Sequence, residues 1–165
     1  MRVNIRWAEA SDLTSLFILD QEAFGSKACT LEWLEAVLAG KFAACLLVEI
    51  NRQLAGYLLY DLHFQDNEVV LLRLATNPRY QRQGVASTLL KRTMTKIHRL
   101  SDISVRTVAE ESNLPMQLLL KKFGFRCTKV TRYRNRQDLY HFLLSPRNQA
   151  DGSQPHQEAR SCEGR

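Results

Sequence analysis

Several common signatures are missing from this 165-residue chain, and each absence removes a class of protein. Its four cysteines, Cys29, Cys45, Cys127 and Cys162, are widely separated, with no C-x-x-C pair and no histidine clustered beside them. That pattern argues against a metal site and a disulfide framework. Cys45 and Cys127 sit in apolar or strand-like surroundings and read as buried thiols of a reducing, cytoplasmic setting. His63, His98 and His141 show no ligand or triad spacing. Apolar runs such as 43–48 fall far below the ~20 residues of a membrane span. The segment 1–7 carries Arg2 and Arg6 but no apolar core, so no signal peptide is expected. No internal repeat is visible.

What is present is one globular domain with an uneven charge. Hydrophobic residues make up 45% of the chain and the net charge is +6, values that fit a folded domain with its own core. Residues 1–70 carry 5 basic and 10 acidic side chains; residues 71–146 carry 15 basic and 4 acidic. A basic half suits phosphates, whether of a nucleic acid, a membrane surface or a cofactor. The acidic half suits a cationic partner. From Ser145 onward the apolar periodicity stops, so the domain is expected over 1–146 and a disordered polar tail over 147–165.

Periodicity orders the elements. Residues 3–8 read as a strand. Ser11 is a candidate cap for a helix with Asp12 in its first turn that Gly25 ends, and Thr30 a candidate cap for a second helix running from Leu31 past Leu38 until Gly40 closes it. Three apolar strands follow over 42–50, 54–63 and 68–76, separated by Asn51-Arg52 and Gln65-Asp66-Asn67, which predicts an antiparallel meander. Gly84 opens a helix to about Arg99. Strand 103–108, helix 113–122 and strands 125–133 and 139–144 complete an α+β order, β-α-α-β-β-β-α-β-α-β-β, around one mixed sheet.

The most informative segment is LLRLATNPRYQRQGVASTLL, Leu71 to Leu90. An apolar strand enters a turn of Gln81, Arg82, Gln83 and Gly84, then Val85, Ala86 and Ser87 begin a helix. A helix start offers unpaired N–H groups and a positive dipole end, where anions bind. Gly84 leaves the backbone open to close approach. Arg82 adds charge and Ser87 a hydroxyl. Together these residues suit a pyrophosphate.

Gln81-x-x-Gly84-x-Ala86 resembles the [QR]-x-x-G-x-[GA] turn of the GNAT superfamily of N-acetyltransferases. Asn77-Pro78 and Tyr80 before it, Glu111-Ser112-Asn113 followed by Phe123-Gly124-Phe125, and the opening RWAEASDL fit the same family over about residues 3–144. Within it the chain is most similar to the ribosomal-protein alanine (RimI-like) N-acetyltransferases. The resemblance implies the GNAT fold, a mostly antiparallel mixed sheet flanked by helices, and an enzyme acetylating an amine with acetyl-CoA. Leu74, Ala75 and Thr76 would pair with the pantetheine arm through their backbone. Arg82 to Ser87 would cradle the pyrophosphate, with Gln81 also binding the cofactor, and Asn113 would hold the arm. A backbone N–H near Leu74 would polarise the thioester carbonyl.

The acid and base of RimI-like enzymes are a tyrosine and a fifth-strand glutamate. Those positions hold Leu120 and Val108 here. Other candidates are Glu110 and Glu111 as bases, and Tyr133 and Tyr140 beside the acceptor. Phe24, Arg73 and Tyr133 are candidates for contact with the substrate. Arg73 interrupts an apolar strand next to the expected acetyl site, where it could meet an acidic group of the acceptor or point to solvent. Seven basic residues between Lys121 and Arg136, uninterrupted by an acid, could meet the cofactor's 3′-phosphate. They form no recognisable RNA-binding motif. The expected acceptor is a primary amine, with a protein N-terminus one choice. A small-molecule amine, or a module that binds acetyl-CoA without catalysis, remain alternatives. Neither a membrane partner nor an oligomeric state is indicated.

Overall fold

The computed structural model describes residues 2–41, 43–100, 102–134 and 136–146; the expected tail over 147–165 lies outside them. Seven strands and four helices follow one another in the order that the periodicity indicates. They are β1 (Val3–Trp7), α1 (Leu13–Phe24), α2 (Leu31–Leu38), β2 (Ala43–Ile50), β3 (Gln53–His63), β4 (Glu68–Thr76), α3 (Val85–Ile97), β5 (Ser104–Glu110), α4 (Leu114–Lys122), β6 (Arg126–Thr131) and β7 (Leu139–Leu144). The strands form one sheet in the order β1-β2-β3-β4-β5-β7-β6. Every neighbouring pair is antiparallel except β4 and β5.

Side chains alternate across this sheet with period two, and both faces are covered. Leu46, Val48, Leu58 and Tyr60 face α3, which buries Val85, Leu89, Leu90, Met94 and Ile97 against them. Cys45, Leu47, Tyr57 and Leu59 face the opposite way, onto Leu16 and Leu19 of α1 and Leu34 of α2. Double burial explains why β2 and β3 read as nearly continuous apolar runs.

Local chemistry sets several boundaries. Thr30 caps α2, its hydroxyl accepting from the Trp33 N–H at 3.2 Å. Ser11 does not cap α1. The chain enters that helix through a 3-10 turn over Ala10–Asp12, and the Asp12 carboxylate accepts the Glu9 N–H at 2.8 Å. Asp12 stands at the N-cap position of α1 without a side-chain cap bond to that helix; Arg6 holds its carboxylate, with guanidinium contacts of 2.7 and 2.8 Å. Cys127 is exposed on β6, not buried. β6 is an edge strand whose residues are mostly exposed, so a strand-like pattern there does not imply burial.

Two features of β3 and β4 position the site. The register slips between Leu59/Arg73 and Tyr60/Leu71, which leaves Leu72 as an extra residue on β4. A bulge of this kind resets the alternation. Leu71 stays on the α3 face, while Arg73 turns to the α1 face. Gly56 is the second feature. A Cβ there would lie 2.7 Å from the Ala75 carbonyl oxygen and 2.7 Å from Val85 Cγ1. The missing side chain lets the first turn of α3 settle onto β3. Gly56→Ala is therefore expected to lower stability by about 1–3 kcal/mol through overpacking, measured as a lower urea midpoint with an unchanged m-value.

Candidate functional site

β4 and β5 pair at only three positions, Glu68/Ser104, Val69/Val105 and Val70/Arg106. Beyond them the Thr107 hydroxyl still reaches the Leu71 carbonyl at 3.1 Å, but no further ladder pairs join the two strands. The sheet opens there into a cleft of about 610 Å³. Its walls are the end of β4 (Leu74, Ala75, Thr76), the turn and start of α3 (Gln81, Arg82, Gly84 to Ser87), and the start of α4 (Asn113, Pro115, Met116, Leu119), with Ala23 and Phe24 of α1 behind.

Every residue read from the sequence as a donor-cofactor contact lines this cleft except Gln83. The Gln83 side chain instead donates to the Arg79 carbonyl at 3.1 Å and so braces the turn. The β4 ladder sorts the three strand residues further. The Asn77 N–H bonds the Ala55 carbonyl at 2.9 Å, and Ala75 lies opposite Tyr57. Antiparallel alternation then commits the N–H and C=O of Ala75 to β3. Those of Leu74 and Thr76 face the open side. The expectation that all three residues offer backbone pairing is thus corrected to two, with Ala75 supplying wall.

At the far end of the cleft, α3 starts on Gly84, whose φ of 81° is left-handed. A Cβ added at Gly84 would meet nothing within 4 Å, so the space beside this backbone is open. Arg82 is also left-handed, with φ 60°, an uncommon state for a residue with a side chain. The first turn of a helix has no internal acceptors for its N–H groups, and Val85, Ala86 and Ser87 bring theirs to the cleft. Asn113 caps α4, its Oδ1 accepting from the Met116 N–H at 3.2 Å.

The catalytic candidates are placed differently. Among the described residues, none of Glu110, Glu111, Tyr133 and Tyr140 lines the cleft. Glu110 is tied to it: its carbonyl accepts from the Asn113 N–H at 3.0 Å and from Gln117 Nε2 at 2.9 Å. Its carboxylate pairs with Lys27 Nζ at 2.5 Å. Glu111 is exposed, and its carbonyl takes the other Gln117 contact at 3.0 Å. Tyr133 is exposed on the approach to β7, with its N–H on Asp138 Oδ1 at 3.2 Å. Tyr140 is partly buried on β7 between Ala109 and Val130. Leu120 is fully buried, and Val108 is 48% exposed.

Arg73 has an internal partner, so neither its solvent reading nor a free substrate-binding guanidinium describes it. Nε and Nη2 grip the two carboxylate oxygens of Asp20 at 2.8 Å each, and Nη2 also reaches the Lys27 carbonyl at 3.2 Å. The guanidinium lies over the Phe24 ring, 4.0 Å from its centroid. Asp20 has no exposed surface and accepts further from the Cys29 N–H at 2.7 Å and the Tyr57 hydroxyl. Burial, reinforced by Asp20, pushes the Cys29 thiol up to about 11 and raises Tyr57 above its ordinary range. Burial raises Cys45 to about 12. None of the three ionises near neutrality. Asp20 and Lys27, which hold Arg73 and Glu110 beside the cleft, are residues that sequence reasoning does not single out. An acid on the apolar stripe Leu16-Leu19-Asp20 is the available signal for the first.

The Acetyltransferase (GNAT) family model matches residues 7–125. No curated protein matches the chain significantly in sequence. Among solved structures, the ribosomal-protein-S18-alanine N-acetyltransferase of Escherichia coli superposes with a TM-score of 0.81 at 18% identity, covering 97% of this chain and 100% of that one. NAA60 of Arabidopsis thaliana bound to a bisubstrate analogue gives 0.73 at 17% identity, covering 87% and 98%. The same protein with acetyl-CoA gives 0.72 at 16% identity, again covering 87% and 98%.

Removing one side of a buried ion pair strands the other charge. Arg73→Ala is expected to destabilise the fold by about 3–5 kcal/mol, and Arg73→Lys by less, since it keeps the charge but loses the fork. Chemical denaturation of the two variants beside the parent measures both effects.

Proposed function

The chain belongs to the GNAT family of acetyltransferases, and on that premise we propose that it transfers an acetyl group from acetyl-CoA to a primary amine, with a protein N-terminus as the favoured acceptor. The observation that carries this reading is the continuity of one cleft. It joins the open edge of β4 to the unpaired start of α3. The donor's parts fit these walls. The N–H groups of Val85, Ala86 and Ser87, with Arg82 beside them, suit linked phosphates. Gly84 leaves room where a side chain would intrude. The Leu74 and Thr76 backbones suit the amides of an extended arm, as an added strand would. Asn113, fixed as a cap, borders the same space. When bound, acetyl-CoA supplies an activated acyl group.

The acceptor amine must reach that group neutral. Leu120 and Val108 carry no proton-transferring group, so the base has to come from elsewhere. Val108 and Glu110 are two residues apart on β5 and share a face. We assign Glu110 as the base, reached from the side that Lys27 guards; Phe24, Tyr133 and Tyr140 belong to the acceptor side, and Glu111 is the secondary choice. The Escherichia coli protein is an N-acetyltransferase for an alanine of ribosomal protein S18, and its likeness in fold supports a polypeptide acceptor. A cytoplasmic setting belongs to this proposal. Among the described residues no helix is long and apolar enough to cross a membrane. Leu120 and Val108 also give weight to a second reading, in which the chain binds acetyl-CoA without turnover.

Two measurements separate these readings. Acetyl-CoA is expected to raise the melting temperature more than adenosine does, and Gly84→Asp to abolish the difference by blocking the open space with a negative charge. No shift in the parent protein overturns donor binding. Thiol release with a panel of peptides and small amines is expected to favour peptides, and Glu110→Gln to reduce kcat about 100-fold with little change in KM. Binding without turnover on any amine supports the second reading. Full activity of Glu110→Gln removes Glu110 as the base.

A further inference from the structure

A second depression, sharing no lining residue with the cleft, lies between β1 and the later turns of α3. It has a volume of about 280 Å³, with Ile5, Arg6 and Trp7 on one side and Arg92, Thr95, Lys96 and Arg99 on the other. We propose that this groove docks an extended, acidic polypeptide segment as an additional strand on β1.

The first argument is the free edge. β1 ends the sheet and pairs only with β2. The Ala8 N–H bonds the Cys45 carbonyl at 2.8 Å, and the Asn51 N–H bonds the Arg2 carbonyl at 2.9 Å. Antiparallel alternation between those two anchors turns the N–H and C=O of Asn4 and Arg6 toward β2. The N–H and C=O of Val3, Ile5 and Trp7 face outward. Free edges are commonly blunted by proline, lysine or a bulge. β1, with the sequence VNIRW, has no proline or lysine, and its register with β2 is regular. Val3 and Trp7 remain exposed beside it.

The second argument is charge. Arg6 is already neutralised, held by Asp12 and by Glu49 at 2.6 Å. Arg92, Lys96 and Arg99 form no ion pair with any described residue; Lys96 lies over the Trp7 ring at 4.3 Å. Arg92 and Lys96 share one face of α3, roughly 6 Å apart at 1.5 Å per residue, and Arg99 follows just past the end of the helix on the same side of the groove. Acidic side chains at alternate positions of an added strand recur every ~7 Å and could meet that row. Backbone donors and acceptors on one wall and cations on the other call for a partner with both, which is a polypeptide and not a polyphosphate chain.

The probe is a short, capped, fluorescent peptide of alternating Glu and Val, with binding read by anisotropy at low salt. Saturable binding is expected. The combined variant Arg92→Glu, Lys96→Glu, Arg99→Glu should weaken it about tenfold or more. In a second arm the parent protein meets the same peptide N-methylated at alternate backbone nitrogens, which keeps every charge but removes strand pairing; a similar loss is expected. The proposal is overturned if no saturable binding occurs, if the methylated peptide binds equally well, or if an oligouridylate of equal charge competes as strongly as the parent peptide.

Discussion

The separation of β4 from β5 is the constraint on which this molecule's chemistry rests. Two parallel strands that stayed paired along their length would bury their backbone groups in each other and leave no entry to the sheet. Pairing at three positions is enough to fix the parallel contact. Past the third pair lies an opening lined by peptide groups that already point the right way. Leu74 and Thr76 need not rearrange to offer hydrogen bonds, and the start of α3 meets the same space. The site is therefore made mostly of backbone, held by a scaffold buried on both faces.

An opening in a sheet needs support from behind, and the Leu72 bulge supplies it. By resetting the alternation, the bulge sends Arg73 to the α1 face, where Asp20 awaits it. The ion pair carries Phe24 with it beneath the guanidinium and takes the Lys27 carbonyl as a further acceptor. Lys27 in turn reaches across to Glu110 on β5. A chain of polar contacts thus runs from β4, through the segment after α1, to β5, and bridges the two strands where their own ladder has stopped. Gln117, holding the carbonyls of both Glu110 and Glu111, fixes the β5 end of that chain.

The order of elements is readable in the sequence because each signal is local. Caps such as Thr30, the Asn51-Arg52 turn and the Gly84 helix start act within a few residues, and period-two burial shows directly in β2 and β3. The cleft is readable for the same reason, since most of its wall comes from one continuous stretch. The bulge is not, because a slip in register belongs to two strands together. Nor is the Arg73–Asp20 pair, whose partners lie 53 residues apart. Cys127 reads wrongly as buried because burial of β6 depends on the strand order β5-β7-β6, which no local pattern encodes. Ser11 has no capping role because the chain enters α1 through a 3-10 turn, in which Asp12 is held by Arg6 of β1.

The glycine at position 56 ties the interior to the mouth of the cleft. Val85 is both the residue packed against that glycine and one of those that bring an N–H to the open space. Packing on β3 and the aim of the helix start are thus set at one place. Trimming Val85 would make room for only part of a larger side chain at position 56, because the Ala75 carbonyl lies equally near, so the seat of the helix start depends on a residue that has no side chain at all.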